Sequence, residues 1–147
     1  MTVKIESGLW KMAWQAKKAS TAFADDVLVA MDSGYAKPAD SGSGGVDEPI
    51  VGLYCGEVIT AATTGTFLYS NTAKIPIMLP VGNDSKLRMT ATGTLAVTDE
   101  GLGLDISDSV TVNAAANTYK AVTCTDYISA TEGLFVINKT FNTNVAA

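Results

Sequence analysis

From Ile50 onward the chain is cut into short apolar stretches by Gly, Asn, Asp, Pro and Thr-rich signals, and this spacing constrains its fold more than any other feature. The Thr-, Val- and Gly-rich mixture suits short strands joined by tight turns better than a helical bundle, which would need more Leu, Glu and Lys. The stretches read "IVGLYCGEVI", "GTFLYS", "KIPIMLPV", "KLRMTA", "GTLAVT", "LGLDIS", "SVTVNA", "NTYKAVTCTDYIS" and "GLFVINK", with "TFNTNVAA" as a closing tail. In "KIPIMLPV" the residues Ile75, Ile77, Leu79 and Val81 fall on one face, while Pro76 and Pro80 suggest an edge strand. Leu87, Met89 and Ala91 share a face in the next stretch, and Gly93 marks a turn or bulge. The expected fold is all-β: a compact sandwich or barrel-like domain of about eight short strands. "ASTAFADD" and "NAAAN" are the places where a short helix is expected.

Upstream, "DDVLVAMDSGYAKPA" reads as a hairpin, with Gly34 free to take positive φ in its turn and Pro38 ending the ladder. "ADSGSGGVDEP" has no apolar pattern and reads as an exposed loop or hinge. The expected organisation is an extended N-terminal arm and β-hairpin over residues 1–37, a Gly/Ser-rich linker or loop over 38–49, and the β domain over 50–147.

Charge and residue usage narrow the function classes. The net charge is −5 and there is no basic stripe, which argues against nucleic acid as a partner, because that binding depends on neutralising phosphates. With no histidine anywhere, Ser-His and Cys-His mechanisms are excluded, and no phosphate-binding Gly loop or dinucleotide fingerprint appears. The chain is not expected to be an enzyme or to need a cofactor. No apolar run is long enough to span a bilayer, and Lys4, Glu6 and Lys11 interrupt any signal-peptide core, so a soluble protein made in the cytoplasm and not associated with membrane is expected. Cys55 and Cys124 each sit in an apolar stretch and read as free thiols, with a disulfide as the alternative.

The pairs Asp25-Asp26 and Asp99-Glu100 could in principle serve a glycosidase, but as sequence neighbours in turns they read as solvated turn residues. The four carboxylates of the acidic run "DEGLGLDISD" have the oxygen chemistry a hard cation would want. Their spacing does not match a calcium loop, however, and solvated turn residues explain them, so no metal site is assigned.

One segment stands out as a candidate contact surface. "GLWKMAWQAKKAS" holds both tryptophans, Trp10 and Trp14, with Met12 between them and Lys11, Lys17 and Lys18 nearby. Trp10, Met12 and Trp14 alternate with polar or small residues as in a half-buried strand, while Trp10 and Trp14 also stand at i and i+4 of a helix. Large aromatic area, an indole donor and adjacent cations are typical anchors of protein interfaces, so Trp10, Lys11, Met12, Trp14, Lys17 and Lys18 are assigned as partner-binding residues. The competing reading has the two indoles capping the domain's own core.

In order and texture, "FADDVLVAMDSGYAKPA", a linker, "IVGLYCGEV" and the closing "ISATEGLFVINK" resemble tailed-phage head decoration (capsid cement) proteins of the β-tulip type. The resemblance implies a homotrimer on the exterior of a virion capsid, without catalytic residues, bound to the major capsid protein. It also implies an arm that bridges neighbouring capsomers by adding to a strand edge, and removing residues 1–20 is then expected to abolish shell binding without unfolding the domain. Two alternatives remain open: a carbohydrate- or receptor-binding β-sandwich using Tyr54, Phe67, Tyr69 and Tyr119, or a tail or fibre subunit.

Overall fold

The computed structural model describes residues 3–60 and 74–138. "GTFLYS", with Phe67 and Tyr69, and the tail "TFNTNVAA" lie outside the described residues. The described strands are β1 (Lys4–Ser7), β2 (Trp10–Ala16), β3 (Val27–Asp32), β4 (Tyr35–Pro38), β5 (Ile50–Tyr54), β6 (Lys74–Pro80), β7 (Lys86–Thr92), β8 (Gly103–Ile106), β9 (Thr111–Asn113), β10 (Val122–Ser129) and β11 (Glu132–Ile137). The expected all-β architecture is therefore what the chain adopts. The helix expected in "ASTAFADD" is not formed: the segment has turns at 19–20 and 25–26, with Phe23 between them bridging Ile59, and "NAAAN" starts in a turn after β9. "GTLAVT", expected as a strand, instead buries Leu95 and enters a 3-10 turn at Val97–Asp99. The Asp99 carboxylate closes that turn by accepting the Ala96 N–H at 2.8 Å, which competes with strand formation.

Two sheets carry the strands. In the first, the order β7-β11-β10-β8-β9 returns to β7, closing a five-stranded barrel. A ring with an odd number of strands cannot alternate direction all the way round, so one neighbouring pair must be parallel. That pair is β7–β9, in register at Thr90↔Thr111, Ala91↔Val112 and Thr92↔Asn113. β9 covers only this far half of the β7 edge. β1 fills the near half, pairing Lys4 with Arg88 and Ile5 with Leu87.

The second sheet has the order β2-β6-β5-β3-β4, antiparallel throughout. It curls until its edge strands touch at one end, where Lys17 and Ala36 form a parallel bridge and the Lys18 N–H donates to the Ala36 carbonyl at 2.8 Å. The β3–β4 turn places Ser33 and Gly34 at φ 53° and 87°, the pair of positive values that a type I′ hairpin requires. β4 ends at Pro38, as expected.

Alternation along these strands divides the core in two. Leu28 and Ala30 of β3 join Leu87, Met89, Ile106, Phe135 and the rest of the barrel interior in one continuous cluster. Val27 and Val29, one residue out of phase, turn into the curl of the second sheet with Phe23, Tyr54, Ile75 and Ile77. β5 serves both clusters through a bulge. Val29 opposes Gly52 while Ala30 opposes Ile50, so Ile50 and Leu53 face the barrel and Val51 and Tyr54 face the curl.

β6 was expected at an edge but lies between β2 and β5. It pairs with β2 along its whole length and with β5 only at Ile77 and Met78, so the edge character demanded by Pro76 and Pro80 survives on the β5 side. The segment between β4 and β5 is a loop folded onto the barrel. Ser43 and Gly44 are buried, a Cβ at Gly44 would lie 2.5 Å from that of Ala121, and Lys37 ties Asp40 to Glu48 at 2.7 and 2.6 Å.

Two glycine substitutions separate packing from backbone conformation. At Gly52 a Cβ would meet the Met78 carbonyl oxygen at 2.2 Å, beside the β5–β6 ladder; at Gly34 it would meet nothing within 4 Å. Gly34→Ala should cost about 1 kcal/mol, from its left-handed backbone alone. Gly52→Ala should cost several times more, of order 3 kcal/mol or above, because two strands must separate. Urea denaturation of both variants checks the ranking.

Candidate functional site

β2 is the centre of the candidate contact surface. Its sequence Trp-Lys-Met-Ala-Trp-Gln-Ala satisfies the period of two, and the strand reading of this segment holds over the helical one. Opposite residues in an antiparallel ladder point to the same face, so the pairs Trp10↔Pro80, Met12↔Met78, Trp14↔Pro76 and Ala16↔Lys74 form one row. Met78 also opposes Leu53, which belongs to the barrel-side cluster. The row is therefore the outward continuation of the face on which the barrel sits.

The barrel covers one end of the row. Trp10 is partly buried against the barrel cluster and its indole N–H donates to the Ser7 carbonyl at 3.1 Å. Beyond it the face overhangs: Met12 is 54% and Trp14 48% exposed. Neither indole is fully buried in the chain's own core. Leu9 and Val81, at the end where the Val81 N–H donates to the Leu9 carbonyl, extend the exposed apolar surface.

The lysines divide differently from the expectation. Lys11 is exposed on the opposite face of β2. Lys17, assigned to a partner, turns inward where the curled sheet closes: it is 3% exposed, its ammonium donates to the Thr21 carbonyl at 2.6 Å, and burial lowers its pKa. Lys18 is exposed and pairs with Asp32 at 2.5 Å. Inward direction at Lys17 follows from alternation, since it shares the Ala13 and Gln15 face, which opposes Ile77 and Ile75.

Residues 4–16 are also built into both sheets. β1 completes the β7 edge and β2 pairs with β6 at seven successive positions. Removal of residues 1–20 would take a strand from each sheet, so that deletion does not separate loss of a contact surface from loss of the fold. Point substitutions on the overhang are the appropriate probe.

Other candidate groups are occupied structurally. Asp105 is buried, and its carboxylate accepts the backbone N–H groups of Tyr119, Lys120 and Thr118 at 2.7, 2.8 and 3.0 Å. Glu100 accepts the Tyr127 N–H at 2.7 Å, and Asp108 accepts that of Val110 at 2.9 Å. The acidic run thus serves as a set of turn caps, and among the described residues no group of three or more His, Cys, Asp or Glu is placed to hold a metal ion. Tyr54, a candidate for a ligand-binding face, is fully buried against Phe23 and its hydroxyl donates to the Glu57 carbonyl; Tyr119 is 42% exposed. Cys55 and Cys124 are free thiols, and burial, reinforced by nearby carboxylates, pushes each up to about 11. No helix among the described residues is long and apolar enough to cross a membrane.

No protein-family model matches the sequence, and no curated protein matches it.

Replacement of Asp105 by Ala should cost about 3 kcal/mol or more, because it strands backbone donors that a charged acceptor satisfies. Guanidinium denaturation measures this directly, and Asp108→Ala, at an exposed cap, should cost about 1 kcal/mol or less.

Stability should also fall at both ends of the pH scale. Lys18 beside Asp32, Lys37 beside Asp40, Lys86 beside Asp126 and Arg88 beside Glu132 hold these carboxyls below their ordinary range. Lowered carboxyl pKa values contribute stability above the unfolded value of about 4, which is lost as the pH falls through the folded values. Asp26 acts in the opposite sense, since burial and Asp25 raise it, but it stands against four lowered groups. The raised thiols contribute stability that is present below the unfolded value of about 8.5 and is lost as the pH rises towards about 11. Tm measured from pH 3 to 11 should show a plateau with both limbs, and Cys124→Ala should flatten the alkaline one.

Proposed function

We propose that this protein is a non-enzymatic structural component of a virion that binds the outer surface of a phage capsid and stabilises it, as a homotrimer. The observation that carries the reading is the overhanging row of β2, an apolar strand face beside the barrel that the chain's own core leaves half exposed at Met12 and Trp14. Apolar side chains scattered singly on a surface are ordinary, but a Trp, a Met and two cross-strand residues, Pro76 and Met78, in one row on a rigid sheet form a contact surface. The resemblance in strand order and texture to capsid cement proteins supports the same reading. So does the architecture, in which a closed barrel and a curled sheet with a continuous core present this row at little conformational cost to the bound state.

Mechanistically, the face supplies apolar area and Lys74, opposite Ala16 in the same row, supplies a cation at its end, while Lys17 and Lys18 hold β2 against β4 and Asp32. Each contact can be weak, because many copies on one lattice add avidity. The major capsid protein is the partner this reading requires, and the protein would be made in the host cytoplasm before joining the capsid exterior.

Decoration of capsids assembled without this protein tests the reading. Wild-type protein should occupy them, and Met12→Glu should reduce occupancy at least about tenfold while shifting unfolding stability by no more than about 0.5 kcal/mol. Tyr35→Glu, at an exposed hairpin position, should decorate normally. Full occupancy by Met12→Glu would sink the assignment of the face, and wild-type protein that never binds capsids would sink the function.

A further inference from the structure

We propose that a slot in the barrel wall, between β8 and the turn after β9, binds a neutral sugar. The site is independent of the capsid reading and uses a different part of the surface.

The slot follows from the shortness of the closing strand. β8 and β9 pair only at Asp105↔Asn113 and Ile106↔Val112. Past Asn113 the chain turns away, held by the Asn113 carboxamide oxygen, which accepts the Ala115 N–H at 3.0 Å. β9 therefore leaves β8 before Gly103. The Leu102 carbonyl faces β10, where it accepts the Cys124 N–H, and the Asp105 N–H donates to Ala116 on the other side. By alternation the N–H and C=O of Gly103 also point to the Ala116 side, into the gap. The gap has a volume of about 430 Å³, within the range of small-ligand sites.

Its polar groups are held in place and unspent. Lys120 stands at φ 50°, a left-handed conformation uncommon outside glycine. Buried Asp105 keeps it there by accepting the Tyr119 and Lys120 N–H groups, and the Asn138 carboxamide donates to the Lys120 carbonyl at 2.5 Å. The Lys120 stem is thereby laid across Gly103, where a Cβ would meet its Cβ, Cγ and Cδ at 2.9, 3.1 and 3.3 Å. Backbone strain that the surroundings maintain concentrates at functional positions. Asp99 and Asn117 line the same slot. One Asp99 oxygen accepts the Ala96 N–H, and the other has no partner among the described residues. Among those residues the Lys120 ammonium has no ion pair within 4 Å and the Asn117 carboxamide no hydrogen bond.

The chemistry selects the ligand. One cation and one carboxylate cancel, so nothing favours a phosphate or another anion. The free Asp99 oxygen accepts and Lys120 donates, while the Asn117 carboxamide and the Gly103 main chain do both. Hydroxyl groups, which also donate and accept, match such a set. Ala114, Ala115 and Ala116 add methyl groups against which the C–H face of a sugar ring can rest. An amino acid would use the two charges but leave the amide and the main chain idle, and ion pairs at an open surface contribute little. Neither Tyr54 nor Tyr119 lines the slot, so the site differs from an aromatic ligand-binding face.

Amide NMR titration of the full chain tests the proposal. The probes are the methyl glycosides of glucose, galactose, mannose and N-acetylglucosamine, with glycine and inorganic phosphate as the competing chemistries. At least one glycoside should shift the amide signals of Gly101, Gly103, Asn117 and Lys120, saturating at about millimolar concentration as suits an open slot. Asn117→Ala and Lys120→Met should each weaken that binding at least about fivefold and leave the remaining signals in place. Tyr119→Ala should bind as the wild type does. The proposal is overturned if no glycoside shifts these signals, or if glycine or phosphate shifts them instead. Binding lost in Tyr119→Ala but kept in Asn117→Ala would overturn it as well.

Discussion

The parallel closure of β7 on β9 is the constraint from which much of the architecture follows. A five-stranded ring needs one parallel pair, and here that pair is only three positions long. Parallel neighbours cannot be joined by a tight hairpin, so the intervening chain must travel, and β9 reaches only the far half of the β7 edge. The near half would remain open were β1 not laid along it at Lys86–Arg88. The N-terminal strand thus seals an edge of a barrel formed almost wholly by the C-terminal half. Open edges invite pairing with other chains, and β1 removes this one.

With β1 committed to the barrel, the next strand enters the second sheet, and the two sheets share a continuous core. The β5 bulge is the physical link. By advancing one residue it turns Ile50 and Leu53 to the barrel and Val51 and Tyr54 to the curl, so one short strand packs in both directions. The second sheet reproduces the odd-ring logic in weaker form: its edge strands approach in parallel but meet only at Lys17 and Ala36. Because the barrel covers the β3–β5 part of its neighbour and stops at Trp10, the remainder of the β2–β6 face projects beyond it. The exposed row is a consequence of how two units of unequal extent stack.

Much of this was legible from residues. The alternation of Ile75 and Ile77, of Leu87, Met89 and Ala91, and of Trp10, Met12 and Trp14 announced strands because side-chain direction has a period of two regardless of partner. Ser33-Gly34 announced a hairpin turn because few residues tolerate positive φ. "GTLAVT" misled because its β-branched residues suit a strand, while the decisive event was local: the Asp99 carboxylate captured the Ala96 N–H. Pro76 and Pro80 pointed to an edge because proline cannot donate; pairing to β5 that skips both prolines allowed β6 to lie inside the sheet. For the contact surface, sequence identified Trp10, Met12 and Trp14 but not Met78, Pro76 or Lys74, which join them only across a ladder.

Residue chemistry by itself determined that the chain is all-β, where most strands lie, and that β2 has one face of large apolar side chains and another of small and cationic ones. Those properties belong to single residues and their immediate neighbours. Which face of β2 turns into the curl of its own sheet was decided only by tertiary structure, and it is the face of Ala13, Gln15 and Lys17. The small face fits the tight interior of a curled sheet, where Ile75 and Ile77 already fill the space. The tryptophan face lies on the barrel side, where coverage ends at Trp10. Burial depends on what lies across a strand and how far it extends, and no sequence neighbour of Trp14 carries that information.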